Sequence, residues 1–285
     1  MNSFAGVRSS WSVMRSPWSS RDALRRLQNR KLRRIVRHAY EHVPYYRALF
    51  DQSGISPDSM RSVVDLEKLP VTTKRDLQQA GEQAVSRFYP REMLIERRTS
   101  GSSGEPTTLY FDRHFEWVRK LVFLRSLRAA GYRLGDRMMM ATGDSSGGRS
   151  SWPGLMKSRF DESPESVVSL IEKKQPVMLY GWVTTLLGVA VYLRDSGRRV
   201  TGLRSIVTTA ESLEPTTRRF LEDTFDATVF DFYGLTEMGT VAWQCKHDDG
   251  YHISEDITFV DYVPLERATG DQAMVMTNLE LTAMP

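Results

Sequence analysis

Residues 177–209 read VMLYGWVTTLLGVAVYLRDSGRRVTGLRSIVTT, and this stretch decides the fold class. A short apolar run at 177–182 precedes a segment with helical spacing at 183–195, which stops near Gly197. A second short apolar run follows at 205–209. A strand, a helix and a strand at this spacing are typical of parallel strands joined by a crossover helix.

The same alternation extends outward from this unit, from about residue 92 onward. A helix at 115–130 stops at Gly131, another starts at Pro164 behind the N-cap residue Ser163, and a third starts at Pro215. Strands are predicted at 93–99, 107–111, 137–141, 177–182, 205–209, 227–232, 257–263 and 273–278. The pattern predicts an α/β fold of layered sheets flanked by helices, with a largely parallel sheet.

Residues 1–91 have a different texture and are predicted to form a helical N-terminal region. A helix at 21–42 is expected to end at Val43, because Pro44 follows it. Thr73 and Asp76 form a capping-box pattern at the start of a short helix. Residues 1–19 show no periodicity and are expected to be a loose or peripherally docked end. Residues 92–285 are then the α/β core of the same large domain.

Composition and charge narrow the class of protein. The chain has 285 residues and a single cysteine, Cys245, so an intrachain disulfide is excluded. The uncharged stretch 180–193 is too short to cross a bilayer, and no leader pattern opens the sequence, so we expect a cytoplasmic protein.

Positive charge is concentrated at the start of the chain. Residues 1–40 contain ten Lys or Arg and one acid, Asp22. Such a segment could bind nucleic acid or an anionic membrane surface, or it could be the solvated face of a packed helix. We favour the solvated face and expect no nucleic-acid partner, because the apolar residues here follow helical spacing on the other side.

A glycine-serine loop is the most informative local feature. Residues 98–107 read RTSGSSGEPT, between two predicted strands. Glycine lets the backbone approach an anion closely, and successive N–H groups and hydroxyls can surround a polyphosphate. The loop lacks the Gly-Lys-Ser/Thr of a Walker loop. Taken alone, such a loop is more often a plain surface connection.

Three further segments change this balance, because they follow the loop in order. They are Thr209-Ala210-Glu211-Ser212-Leu213, Asp231-Phe232-Tyr233-Gly234-Leu235-Thr236-Glu237, and residues 270–279, GDQAMVMTNL. With residues 99–107 they resemble the core motifs of the adenylate-forming superfamily, which includes acyl-CoA synthetases, nonribosomal peptide adenylation domains and luciferases. The chain is most similar to its phenylacetate–CoA ligase branch, with relatives described as capsular polysaccharide biosynthesis proteins.

The resemblance implies a site and a reaction. A carboxylic acid, aryl or of medium size, attacks ATP to form an acyl adenylate, and the acyl group passes to coenzyme A. Thr236 and Glu237 are the implied catalytic residues, with Thr236 at the α-phosphate and Glu237 holding Mg²⁺. The implied ATP- and AMP-binding residues are Thr99, Ser100, Gly101, Ser102, Ser103, Gly104, Thr107, Ala210, Glu211, Ser212, Asp231, Phe232, Tyr233 and Gly234.

The acyl pocket is the remaining part of the implied site. Family analogy and composition point to Tyr180, Gly181, Trp182, Met238 and Gly239. Trp182 and Trp243 could equally be core residues.

Two features depart from the family pattern. Residues 270–273 read GDQA where the family has Gly-Glu-x-Gly, and the 285 residues lack the family's Thr-Gly-Asp strand and its mobile domain with the catalytic lysine. We therefore expect weak turnover from this polypeptide alone. The alternative function is a non-catalytic protein that binds nucleotide or acyl adenylate. Monomer and homodimer both stay open.

Cys245, His247 and His252 could also contribute to a zinc site. A structural zinc site needs four ligands, so a polar loop near the acyl site is the preferred interpretation of these residues.

Overall fold

The computed structural model describes residues 12–99, 107–142, 155–159, 163–264 and 271–285. The chain divides into two compact units. The first unit comprises Met1–Val122, Thr236–Gly239 and Ile253–Pro285, and the second comprises Phe123–Leu235 and Thr240–His252. The division at residue 91 into a helical region and a core stays a prediction.

Helices and strands alternate through much of the described chain. The α-helices are α1 Arg21–His42, α2 Pro44–Gln52, α3 Lys74–Ala80, α4 Arg113–Ala129, α5 Pro164–Lys174, α6 Val183–Ser196 and α7 Pro215–Phe225. Short 3₁₀ helices span Ser16–Trp18, Pro57–Ser59, Val63–Lys68, Gly81–Ala84 and Arg91–Met93. The strands are β1 Ile95–Arg98, β2 Thr108–Phe111, β3 Met138–Thr142, β4 Leu155–Arg159, β5 Met178–Trp182, β6 Ser205–Thr209, β7 Thr228–Leu235, β8 Gly239–Cys245, β9 Asp248–Ile253, β10 Thr258–Pro264 and β11 Gln272–Asn278.

The second unit is built on a large sheet. Among the described residues it has seven strands in the order β4-β3-β5-β6-β7-β8-β9. The pairs β3–β4, β3–β5, β5–β6 and β6–β7 are parallel. The predicted α/β fold with a parallel-rich sheet is therefore confirmed.

Helices cover both faces of this sheet, as the alternation of side chains requires. Met139, Leu179, Ile206 and Val229 pack in one apolar cluster with residues of α5, α6 and α7. Their neighbours Met138, Met178, Val207 and Phe230 pack on the opposite side with Leu127 and Ala130 near the end of α4. Each central strand is thus apolar on both faces, which explains its continuous hydrophobic sequence.

The first unit contains two antiparallel strand pairs, β1–β2 and β10–β11. Leu32, Ile35 and Val36 on α1 pack with Phe50 on α2, while the arginines of α1 lie on the exposed side. The predicted amphipathic helix is therefore present with its predicted bounds. A second core forms around Phe111 and Phe115, together with residues Leu281–Met284.

Some local predictions were wrong. Pro44 does end α1, but it also occupies the first turn of α2, which the sequence analysis missed. Strands β4, β8 and β9 were not predicted. Residues 12–18 are helical, with Val13 and Ser16 buried. Across the described ranges, no helix has the length and apolarity required to cross a membrane.

Candidate functional site

The β1–β2 hairpin carries the glycine-serine loop, and its base is well defined. The Thr99 amide donates to the Thr107 carbonyl at 3.0 Å, and the Thr107 amide donates to Thr99 Oγ1 at 2.9 Å. Gln78 Nε2 from α3 donates to Thr107 Oγ1 at 3.0 Å. The predicted phosphate-binding residues Ser100, Gly101, Ser102, Ser103 and Gly104 lie outside the described residues. The two hydrogen bonds between Thr99 and Thr107 fix the distance between the two ends of the glycine-serine loop.

A short chain of charges, the Arg119 cluster (Arg97, Glu116 and Arg119), leads away from this hairpin. Arg97 Nη2 on β1 lies 3.6 Å from Glu116 Oε1, and Arg119 Nη1 lies 3.4 Å from the same oxygen. The Arg119 guanidinium lies over the ring of Phe111, 4.8 Å from its centroid. Burial lowers the pKa of Arg119, and the nearby carboxylates of Glu116 and Glu237 partly oppose this shift.

Arg119 also lies against the segment that carries the two predicted catalytic residues, Thr236 and Glu237. Gly239 has a φ of +79°, and a Cβ added there would lie 3.0 Å from Arg119 Nε. Asn278 Nδ2 donates to the Glu237 carbonyl at 3.5 Å, so this segment is also held from β11. Within the first unit, the hairpin and Glu237 are therefore connected through the Arg119 cluster.

An apolar cleft of about 550 Å³ lies in the same unit. It is bordered by Leu32 and Phe50 from the helices and by Phe259 and Met276 from β10 and β11. Met238, a predicted acyl-pocket residue, lines it together with the partly exposed Glu237. Gly239 contributes in a different way, since it makes room for Arg119.

The predicted ATP- and AMP-binding residues from Ala210 to Ser212 and from Asp231 to Gly234 lie in the second unit, where parallel strands end. The register places Gly181 opposite Thr208, and Thr208 opposite Asp231. Because the carboxyl ends of parallel strands share one edge of a sheet, the residues that follow these three positions are brought together there. That edge is where open α/β sheets bind ligands.

Asp231 is the centre of a hydrogen-bond network at this edge. Its carboxylate accepts from Thr208 Oγ1 at 2.5 Å and from the Tyr251 hydroxyl. The Asp231 amide donates to Gln244 Oε1 at 2.9 Å, and Arg218 donates to the same oxygen at 2.8 Å. Burial and the hydrogen bond to Asp231 raise the pKa of Tyr251 to about 12, so its hydroxyl stays protonated. The network orients the backbone from which Phe232, Tyr233 and Gly234 continue.

Comparison with known proteins identifies the relatives of this chain. No protein-family model matches it. The phenylacetate–coenzyme A ligase of Aromatoleum evansii is 32% identical over 94% of the chain, and that of Escherichia coli K12 is 32% identical over 94%. The chain spans 65% of the length of each. The chain is thus similar to phenylacetate–coenzyme A ligases over nearly all of its own length.

A solved structure shows the same fold. An open conformation of 2-hydroxyisobutyryl-CoA ligase, in complex with 2-HIB-AMP and CoA, matches 90% of this chain and 66% of its own length. The TM-score is 0.76 and the sequence identity is 22%. The layered architecture predicted from the sequence is thus the fold shared with this solved structure.

The two adjacent aromatic residues on β7, Phe232 and Tyr233, lie in different environments. Phe232 is buried in the core beside Tyr180, with ring centroids 6.4 Å apart. Tyr233 is 39% exposed on the opposite face of the strand. Of the two rings, Tyr233 is the one that is exposed.

Tyr180, Gly181 and Trp182 at the end of β5 were predicted for the acyl pocket of a phenylacetate–CoA ligase relative. The Tyr180 ring packs edge-on against Phe123 at 5.2 Å, and burial raises its pKa. A Cβ at Gly181 would lie 2.8 Å from the Ala141 carbonyl oxygen, so the strands need glycine there. Their role toward an acid stays a prediction.

The turn after β6 adds a contact that the motif comparison did not indicate. Glu211 accepts from the Thr184 amide at 2.7 Å and from Thr184 Oγ1 at 2.9 Å, and so caps α6. Ala210 precedes it with a φ of +69°, and Ser212 is exposed. The sequence did contain a signal for this contact. The N-cap residue of α6 is Trp182, whose side chain has no oxygen to cap the helix, so a cap from another segment could be expected.

Of the residues considered for zinc, Cys245 ends β8 and His252 lies on β9, while His247 lies in the exposed turn between these two strands. His252 Nε2 lies 3.2 Å from Cys245 Sγ, and Trp243 is a core residue. Among the described residues, no cluster of three or more His, Cys, Asp or Glu could hold a metal ion.

Proposed function

We propose that the chain carries the nucleotide-binding part of an acid–thiol ligase, which activates a carboxylic acid with ATP as an acyl adenylate. Transfer of the acyl group to coenzyme A then completes the reaction of the whole protein. The names of the homologous ligases support this reaction class. A solved structure with the same fold, bound to an acyl-AMP and CoA, supports it as well.

The observation that carries the proposal is the position of the Arg119 cluster. It joins the hairpin bearing the glycine-serine loop to the Thr236–Gly239 segment within one unit. Both stretches must meet one triphosphate for the chemistry to proceed. Cationic side chains between them also suit the charge of that ligand.

The reaction places two anions side by side. A carboxylate oxygen forms a bond to the α-phosphorus, and the bond to the pyrophosphate oxygen breaks, so no protein nucleophile is needed. The chain must align the two groups and offset charge on the transferring phosphoryl group. In the proposal, residues 99–104 and Thr107 donate to the phosphates, and Thr236 donates at the α-phosphate.

Glu237 is suited to hold Mg²⁺. Its carboxylate is partly exposed, and it lines a cleft rather than the closed core. Mg²⁺ commonly uses one or two carboxylates together with phosphate oxygens and water, so one acid without a protein cage is sufficient. When bound, the ion would offset negative charge on the phosphate oxygens.

The second unit supplies the proposed adenine site. Tyr233 offers an exposed ring for stacking, while Ala210, Ser212 and Gly234 offer backbone and hydroxyl groups. Asp231, Phe232 and Glu211 would act by holding this edge of the sheet in place. Tyr180, Gly181, Trp182 and Met238 remain the proposed acyl-binding residues.

Titration of the purified chain with Mg²⁺ATP tests the proposal, followed by ATP–pyrophosphate exchange with phenylacetate and related acids. We expect measurable ATP binding, and we expect Glu237→Gln to weaken it about tenfold, which corresponds to about 1.4 kcal/mol. The exposed acid Glu255 provides a matched control as Glu255→Gln.

The outcomes separate the two functions. A wild-type chain that binds no ATP contradicts both. ATP binding without exchange for any acid, repeated in a version extended to the length of the homologues, supports the non-catalytic alternative. Equal ATP affinity in wild type and Glu237→Gln removes the metal role of Glu237.

A further inference from the structure

Arg119 is a largely buried cation whose hydrogen-bonding capacity is mostly unused. Its side chain is 22% exposed, and the guanidinium rests on the Phe111 ring. Among the described residues it makes one hydrogen bond, from Nη1 to Glu116 Oε1 at 3.4 Å. A guanidinium has five N–H donors. No Arg119 nitrogen is among the buried side-chain atoms that lack a partner in the described ranges, so its remaining donors are open to solvent or to a ligand. The position therefore has room for a further acceptor.

Glu116 does not satisfy this cation. The same oxygen, Oε1, is shared with Arg97 at 3.6 Å, so two guanidiniums face one carboxylate. Strong Arg–carboxylate pairs are bidentate, at about 2.7–2.9 Å. Arg198 makes such a bidentate pair, with two N–H groups directed at the two oxygens of Glu172 at 2.5 and 3.3 Å. Arg119 makes no bidentate pair with Glu116.

The position and the planar shape of the Arg119 guanidinium indicate which chemical group would be the further acceptor. The guanidinium lies between Phe111, at the end of the β1–β2 hairpin, and the Gly239 backbone, close to the charge of Glu237. A flat guanidinium held in this way presents a fork that matches the oxygens of a phosphate group. A second acid side chain would add repulsion with Glu237, whereas a metal-bound phosphate would not.

We propose that Arg119 is a phosphate-binding residue, whose N–H groups donate to an oxyanion of the bound nucleotide's phosphate chain. The inference rests on the proposed function, because it takes the triphosphate to lie at the hairpin and Glu237. Arg119 then supplies a fixed positive charge beside the proposed metal ligand. It would act on ATP and on the leaving pyrophosphate, and not on the base or ribose.

Ligand titrations with Arg119→Gln and Arg119→Lys test this assignment. Mg²⁺ATP, pyrophosphate and adenosine are measured by competition against a fluorescent ATP analogue, and phenylacetate is measured by direct calorimetric titration. We expect Arg119→Gln to weaken ATP and pyrophosphate about tenfold or more and to leave adenosine within about twofold. Arg119→Lys should recover part of the loss, because it keeps the charge without the fork. The exposed Arg47→Gln serves as the control.

Each result decides the inference. Unchanged ATP and pyrophosphate affinity in Arg119→Gln overturns it, and so does an equal loss for adenosine and ATP, which indicates a structural role. A loss confined to phenylacetate overturns it in favour of a carboxylate contact. If Arg119→Gln fails to fold, full affinity in folded Arg119→Lys also overturns it. Absence of ATP binding in the wild type instead contradicts the proposed function itself.

Discussion

Two charged clusters in the first unit each place several basic side chains around one glutamate, but they differ in how well their charges are compensated. In the Glu280 cluster (Glu280, Lys31, Arg34 and His114), contacts to the carboxylate are short: 2.5 Å from Lys31, 2.7 Å from Arg34 and 3.2 Å from His114. The Glu280 side chain is 6% exposed. In the Arg119 cluster the shortest contact is 3.4 Å, and one oxygen serves two guanidiniums.

The difference separates a structural ion cluster from one suited to a ligand. Burial alone would raise the pKa of Glu280, but the hydrogen bond from His114 and the charges of Lys31 and Arg34 lower it to about 2. The acid is therefore fully compensated within the protein and joins α1, α4 and the C-terminal segment. The Arg119 cluster places its less satisfied group, a cation, beside the loop and Glu237.

Removing the central acid should cause the largest change. We expect Glu280→Ala to lower the free energy of unfolding by about 3 kcal/mol, because it leaves the poorly exposed Lys31 without a carboxylate and with only the Asp256 carbonyl as an acceptor. Urea denaturation measures the change. Arg37→Ala, which breaks an exposed pair with Asp58, is the control and should cost less than about 1 kcal/mol. Equal effects of the two variants would show that the Glu280 cluster is not structural.

The pH dependence of stability should sharpen the same contrast. The pKa of Glu280 falls from 4.5 to about 2 on folding, so its contribution is present above about pH 4.5 and is lost as the pH falls toward 2. The total is about 3 kcal/mol. Unfolding titrations from about pH 5.5 down to about pH 2.5 should show a steeper loss in wild type than in Glu280→Gln. Parallel curves would contradict the shift.

The smallest of these effects concerns the glycine beside Arg119. Gly239→Ala should cost about 1–2 kcal/mol, because alanine is strained at positive φ and its Cβ would lie 3.0 Å from Arg119 Nε. Gly135→Ala is the matched control, since Gly135 has a φ of +94° and nothing within 4 Å. Thermal unfolding gives the stabilities of both. Only Gly239→Ala should also weaken ATP binding. If Gly135→Ala weakened ATP binding equally, the weaker binding could not be attributed to the contact between residue 239 and Arg119.

Much of the fold could be predicted from local sequence. Apolar runs predicted β5 and β6 and the helix between them, because parallel strands covered on both faces must be hydrophobic throughout. Pro44 and the Thr73–Asp76 capping box act within a few residues, so their effects could also be read locally. Strands β8 and β9 were missed because polar residues interrupt their pattern, and pairing with the large sheet determines their conformation.

The candidate site was predicted unevenly for a related reason. Motif order identified the residues around Glu237 and Tyr233, and a motif is a property of the chain. The sequence did not indicate Arg119 or Tyr251, and it did not indicate that Glu211 contacts Thr184, because these contacts join residues between 3 and 27 positions apart along the chain. Nor could the sequence distinguish Phe232 from Tyr233, since packing against the core decides which of the two rings is buried.

The amino-acid sequence by itself determined the layered α/β architecture, the start and end of the main helices, and the family to which the motifs point. These depend on residue spacing and on backbone preferences that act over short distances. Only the tertiary structure decided which charges are compensated, because compensation depends on distances between side chains on separate elements. Glu280 and Arg119 are each one charged residue in the sequence, and their surroundings alone make one structural and the other available to a ligand.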